Sequence, residues 1–179
     1  MFYMFLANGF EEVEAIATLD VIRRAGIEIK TVGIDSELIV GSHNITVESD
    51  LTVDEISFAN LEGIILPGGM PGTTNLMNSS VVDGYIDFCQ QNNLFICAIC
   101  AAPMILGRKG LLNGVKAICF PGFEDDLISA EISSSVVCRD GNIITAKGMG
   151  SAVNFGLEIV AAVKGAKVAS ELKGTLQCS

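Results

Sequence analysis

Short apolar runs alternate along this chain with longer stretches in which apolar positions recur every three or four residues. The runs at 2–7, 27–32, 63–66, 94–99 and 143–146 predict buried strands. Residues 11–25 carry Val13, Ile16, Ala17, Val21 and Ile22 at helical spacing, and Gly26 closes that helix. Further helices are predicted over 81–91, 151–163 and 166–172, with a short one over 54–59. Segments 115–120 and 134–138 read as additional strands, and 38–40 with 44–47 as a small hairpin or edge pair.

Strand–helix alternation of this kind predicts a mostly parallel sheet covered by helices on both faces. No linker, repeat or low-complexity tract interrupts it, so one α/β domain over residues 1–179 is the economical organisation. Sites in such sheets form in loops at the carboxyl ends of strands. Three loops therefore compete: 7–11, 67–74 and the turn at Cys100.

Composition narrows the functional classes. Half of the 179 residues are hydrophobic and the net charge is −10. The basic residues are scattered apart from Arg23-Arg24 and Arg108-Lys109, which argues against nucleic acid as a partner. The opening Met1-Phe2-Tyr3-Met4-Phe5-Leu6 is apolar but lacks a basic start, and no apolar run approaches the roughly 18 residues of a membrane span. A cytoplasmic protein with free thiols is expected, and no membrane partner.

Among six cysteines, Cys100 stands apart. It follows a buried strand and precedes Ala101-Ala102-Pro103, the start of a short helix, so the thiol is expected at a helix N-terminus that favours thiolate. Cys97 and Cys100 spell C-x-x-C, but Cys97 falls inside the strand, which disfavours a redox dithiol. Cys89, Cys119 and Cys138 read as core residues, and Cys178 as exposed. No cysteine spacing suits zinc.

The Pro67-Gly68-Gly69-Met70-Pro71-Gly72 loop admits two readings: backbone donors for an oxyanion, or a plain strand-to-helix turn. No Gly-Lys-Ser/Thr follows, so it is not a phosphate loop. Glu14 also has two readings. It is either a partly buried carboxyl able to hydrogen-bond a thiolate, or a solvated glutamate like Glu11 and Glu12; the residues alone favour the second. The single histidine, His43, lies in a polar turn and reads as a surface residue. Cysteine hydrolases usually need an imidazole beside the thiol, so its remoteness limits the chemistry.

Taken together, these motifs resemble the DJ/ThiJ/PfpI superfamily, the group that includes the human parkinsonism-associated protein deglycase. The resemblance is carried in order by Asn8-Gly9-Phe10-Glu11-Glu12-Val13-Glu14, Asp20-Val21-Ile22-Arg23-Arg24-Ala25-Gly26, Leu66-Pro67-Gly68-Gly69, Ala98-Ile99-Cys100-Ala101-Ala102-Pro103 and Lys147-Gly148-Met149-Gly150-Ser151. It implies a flavodoxin-like three-layer α/β/α sandwich of the class I glutamine amidotransferase-like type, usually a homodimer. It also maps Cys100 onto the nucleophile elbow, Glu14 onto the glutamate that hydrogen-bonds it, and Gly69 and Ala101 onto the backbone oxyanion donors. Gly68, Phe120 and Pro121 fall around the pocket. Many members carry a histidine before that proline. Phe120 stands there instead, as in some bacterial members, and Ala102 replaces a frequent glycine.

The resemblance implies a stress-protection enzyme that acts on reactive dicarbonyls or glycated proteins through Cys100 and Glu14, with no metal or organic cofactor. The competing function is a non-enzymatic redox sensor or chaperone, in which Cys100 is oxidised to sulfinic acid. PfpI-type proteolysis is disfavoured by Phe120, and thiazole biosynthesis by the lack of a phosphate motif.

Overall fold

The computed structural model describes residues 1–178. Seven strands form the central sheet in the order β10-β11-β7-β6-β1-β2-β5. Its interior comprises β1 (Phe2–Leu6), β6 (Gly63–Leu66), β7 (Phe95–Ile99), β11 (Ile143–Ala146) and β2 (Ile29–Gly33), all parallel. β5 (Leu51–Thr52) pairs parallel with β2 on one edge, and β10 (Val137–Asp140) pairs antiparallel with β11 on the other. A hairpin of β3 (Leu38–Val40) and β4 (Thr46–Glu48) stands apart, as does the short parallel pair β8 (Lys116–Ala117) and β9 (Glu131–Ile132).

The interior strands are apolar at nearly every position because both faces are covered. Successive side chains point to opposite faces. Tyr3, Phe5, Ile64, Leu66, Ile96 and Ala98 pack toward α2 (Gly72–Asn78), α3 (Ser80–Gln91) and α4 (Pro103–Arg108). Phe2, Met4, Leu6, Ile65, Cys97 and Ile99 pack toward α1 (Glu12–Arg24), α5 (Ala152–Lys164) and α6 (Ala166–Thr175). The result is the expected flavodoxin-like sandwich.

Several local expectations are corrected. Residues 54–59 form turns rather than a helix; Phe58 instead stacks on Phe88 with ring centroids 4.3 Å apart. The strand expected over 115–120 shrinks to Lys116–Ala117, because the segment soon turns back to meet Cys100. The strand expected over 134–138 lies later, at Val137–Asp140, in register with Ala146 to Ile143. β5 and α2 were not anticipated; β5 has only two residues, and α2 is polar on much of its length. No helix among the described residues is long and apolar enough to cross a membrane.

Candidate active site

Four parallel strands deliver the site at their carboxyl ends, as this topology dictates. β1 leads through residues 7–11 into α1, whose N-cap Glu11 accepts the Glu14 N–H at 2.7 Å. That cap fixes Glu14 in the first helical turn, where the side chain is 1% exposed. Its Oε2 accepts the Gly68 N–H at 3.0 Å, and the Met149 backbone N–H also favours charge on the carboxylate.

β7 ends at Cys100, which has φ +65, a left-handed conformation that costs a residue with a side chain about 1–2 kcal/mol. Two backbone bonds hold it there: Cys100 N–H donates to Ala146 C=O at 2.9 Å, and Phe120 N–H donates to Cys100 C=O at 2.8 Å. The turn sets the half-buried sulfur beside Glu14, and each side chain shifts the other's proton affinity. The backbone N–H groups of Ala101 and Gly69 favour negative charge on the sulfur.

The glycines of the β6 loop permit this convergence. A methyl group on Gly68 would lie 2.6 Å from both Cys100 Cβ and Glu14 Oε2, so only hydrogen fits between the pair and the strand end. Gly69 has φ +90, and a methyl there would lie 2.3 Å from the Glu11 nitrogen.

The electrostatics revise the expected thiolate. Burial pushes Glu14 up to about 7, and the nearby Glu11 charge adds to the rise; hydrogen bonds from Cys100, Gly68 and Met149 oppose it. Burial, the Glu14 charge and the Glu14 hydrogen bond push Cys100 up to about 12, against the donors at Ala101 and Gly69. The expected lowering by a helix N-terminus is overridden, since α4 begins only at Pro103 and spans six residues. With the carboxyl raised toward neutrality and the thiol raised well above it, the pair holds one proton between them at neutral to mildly alkaline pH. Glu14 is thus buried and not solvated.

Glu12, expected in solvent, is buried as well, because the β3–β4 turn folds over it. His43 Nδ1 lies 2.9 Å from Glu12 Oε2, the His43 N–H donates to Oε1 at 2.7 Å, and Ser42 adds a hydroxyl bond at 3.2 Å. Burial works to raise the Glu12 carboxyl, but these bonds bring it down to about 2. The His43 imidazole is raised in return by its Glu12 hydrogen bond and charge. Glu11, Glu12 and His43 bring ligand atoms within 4.8 Å of one another. Their groups are already engaged, Glu11 by the α1 cap and Glu12 by the hairpin turn.

Beside the pair opens a cleft of about 620 Å³ lined by Phe120, Pro121, Val136, Met149 and neighbours. Phe120 and Pro121 were anticipated there. The Met149 donor and the Val136 wall were not. The Lys147–Ser151 motif marked the place, but no residue type in it signals a backbone donor. Cys89, Cys97, Cys119 and Cys138 are buried, and Cys178 is half-buried where exposure was expected.

A parallel α/β/α sandwich with a strained cysteine at the end of a central strand, held against a buried glutamate, defines a nucleophile-elbow protein. The DJ-1/PfpI family profile matches residues 2–162, and the chain belongs to that family. It is 31% identical over 175 residues to protein dj-1beta of Drosophila melanogaster, covering 96% of this chain and 94% of that protein. The crystal structure of Drosophila DJ-1beta superposes with a TM-score of 0.93 at 30% identity, covering 99% of this chain and 97% of that one. A DJ-1 superfamily protein from Salmonella typhimurium gives 0.92 at 31% identity, covering 98% and 96%. A protein named a deglycase from Pyrococcus horikoshii is 30% identical over 143 residues, covering 79% of this chain and 86% of that protein.

Proposed function

We propose that this protein is a cofactor-independent enzyme that converts reactive α-oxoaldehydes to α-hydroxy acids, with Cys100 as nucleophile and Glu14 as proton shuttle. The observation that supports it most is the buried Glu14 carboxyl, raised to about 7 and set beside a thiol whose negative charge two backbone N–H groups favour. A carboxyl at that value is half ionised at neutral pH, where it serves as base and acid in one cycle.

As Cys100 Sγ bonds to the aldehyde carbon, its proton passes to Glu14. The carbonyl electron pair moves onto oxygen, steadied by the Gly69 and Ala101 N–H groups. Glu14 returns the proton to give a neutral hemithioacetal. The carboxylate then removes the C1 hydrogen, and the C1 hydroxyl proton passes to the C2 oxygen, forming an enediolate. Glu14 delivers its proton to C2, leaving a thioester. Water adds to the thioester carbon, the C–S bond breaks and the thiol is restored. Methylglyoxal plus water gives lactate with no net oxidation, and no step calls on an imidazole. This suits a chain with Phe120 ahead of Pro121 and a single histidine, His43, that is bound to Glu12.

The relative named a deglycase supports an enzymatic role for this chain. The same donors would also stabilise a sulfinate on Cys100, which keeps an oxidation sensor as the second reading. Exposed Val13 and Ile16 on α1, with Leu38, Val40 and Ile45 on the hairpin, favour a second copy of the chain as partner; light scattering tests this. For the enzyme, NMR detection of lactate from methylglyoxal, with Cys100→Ala and Glu14→Gln alongside, is the test. Turnover lost in both variants is expected. Turnover equal in all three, or absent in all three, would overturn the reading.

A further inference from the structure

We infer that the cleft beside the Cys100–Glu14 pair selects α-oxoaldehydes bearing an aromatic or bulky apolar substituent, and that Phe120 sets this preference. The inference rests on the dicarbonyl reading above and specifies the substrate class within it.

Three large apolar side chains from separate segments stand open around one mouth: Phe120 at 47%, Val136 at 52% and Met149 at 54% exposure. Pro121 extends the same wall. Apolar surface converging on one concavity of about 620 Å³, within the usual range of about 300–1,000 Å³ for small-molecule sites, marks a binding surface more than a random exposure does.

The cleft and the reacting pair adjoin across Gly148, which lines the cleft. A methyl built there would lie 3.1 Å from Phe120 Cδ2 and 3.8 Å from Glu14 Oε1, so Gly148 is a thin partition between the ring and the carboxyl. The Phe120 backbone bond to the Cys100 carbonyl fixes the ring's segment relative to the sulfur. In this proposal a substrate whose aldehyde carbon bonds to Cys100 extends its C2 substituent toward Phe120.

The polar side chains lining the cleft are few: Lys147, Ser151 and the exposed Asn154. The Ser151 hydroxyl is taken by Gly148, donating to its C=O at 2.7 Å and accepting its N–H at 3.2 Å. Lys147 is the one charged side chain among the described cleft residues, and it repels a cationic substituent such as an arginine adduct. A methyl substituent leaves the apolar wall in water, whereas a phenyl group covers it and releases that water.

The experiment compares kcat/KM for phenylglyoxal, methylglyoxal and glyoxal in wild type, Phe120→Ala and Val136→Ser. Mandelate and lactate, the corresponding products, are titrated into each protein by NMR. The expected result is a phenylglyoxal-to-methylglyoxal ratio that falls roughly tenfold in Phe120→Ala, mostly through KM, and by less in Val136→Ser. Turnover of all three substrates with a ratio unchanged in both variants would overturn this inference and leave the dicarbonyl reading standing. Absence of any turnover would sink the dicarbonyl reading, and the product titration then decides the subsite. Mandelate binding lost in Phe120→Ala upholds it, and equal binding of mandelate and lactate to wild type overturns it.

Discussion

Glu14→Gln is expected to cost the protein its activity and to make it more stable at alkaline pH. Glu14 is 1% exposed, and burial lifts its carboxyl from the ordinary 4.5 to about 7. Below pH 4.5 the group is protonated in both folded and unfolded chains and costs nothing. As pH rises, the unfolded chain ionises first, so the folded state loses stability until its own carboxyl ionises near 7. At about 1.4 kcal/mol for each tenfold difference in proton affinity, the loss between pH 4.5 and 7 amounts to about 3 kcal/mol. A glutamine keeps an oxygen to accept the Gly68 N–H and cannot ionise. Urea denaturation of both proteins at pH 4.5 and pH 8 isolates the effect, since groups not coupled to Glu14 cancel in the comparison and the raised Cys100 thiol stays protonated at both values. Glu14→Gln should gain about 3 kcal/mol on wild type between the two conditions. A difference that does not change with pH would refute the claim that the carboxyl is held in a medium hostile to its charge.

Other substitutions probe the surrounding geometry. Gly68→Ala drives a methyl into Cys100 Cβ and Glu14 Oε2, and should destabilise by about 1–3 kcal/mol in thermal denaturation while abolishing turnover. Cys100→Gly should be about 1 kcal/mol more stable than Cys100→Ala, because glycine adopts φ +65 without penalty; equal stabilities would contradict the strain. His43, followed by NMR, should titrate above its ordinary 6.5 in wild type and return toward it in Glu12→Gln. That same variant should lose about 1–2 kcal/mol of stability above pH 5 by weakening the bonds under the hairpin turn.

The layers of the fold were legible because the interior strands are apolar on both faces and α1, α3 and α5 carry helical periodicity. Short elements were not: β5 has two residues and α2 lacks an apolar stripe, so packing decides them rather than local pattern. Cys100 was legible from its place after β7. Glu14 was not legible from its own residues, because an acidic first turn looks the same whether solvated or covered. Only its match to a known motif raised it. The Cys100 proton affinity was misjudged for a related reason: a helix N-terminus can be read from sequence, but the burial and the facing carboxylate that override it are tertiary. Glu12 shows the same limit, buried by a hairpin 30 residues away.

The measurement that bears most directly on the account is the pH dependence of methylglyoxal turnover from pH 5 to 10. If Glu14 takes the thiol proton as the sulfur attacks, kcat/KM should rise through an apparent pKa near 7 and then level off, and Glu14→Gln should lose that inflection along with the activity. A rate flat through neutrality that climbs only toward the thiol's own ionisation, in wild type and variant alike, would contradict the shared proton on which the mechanism depends.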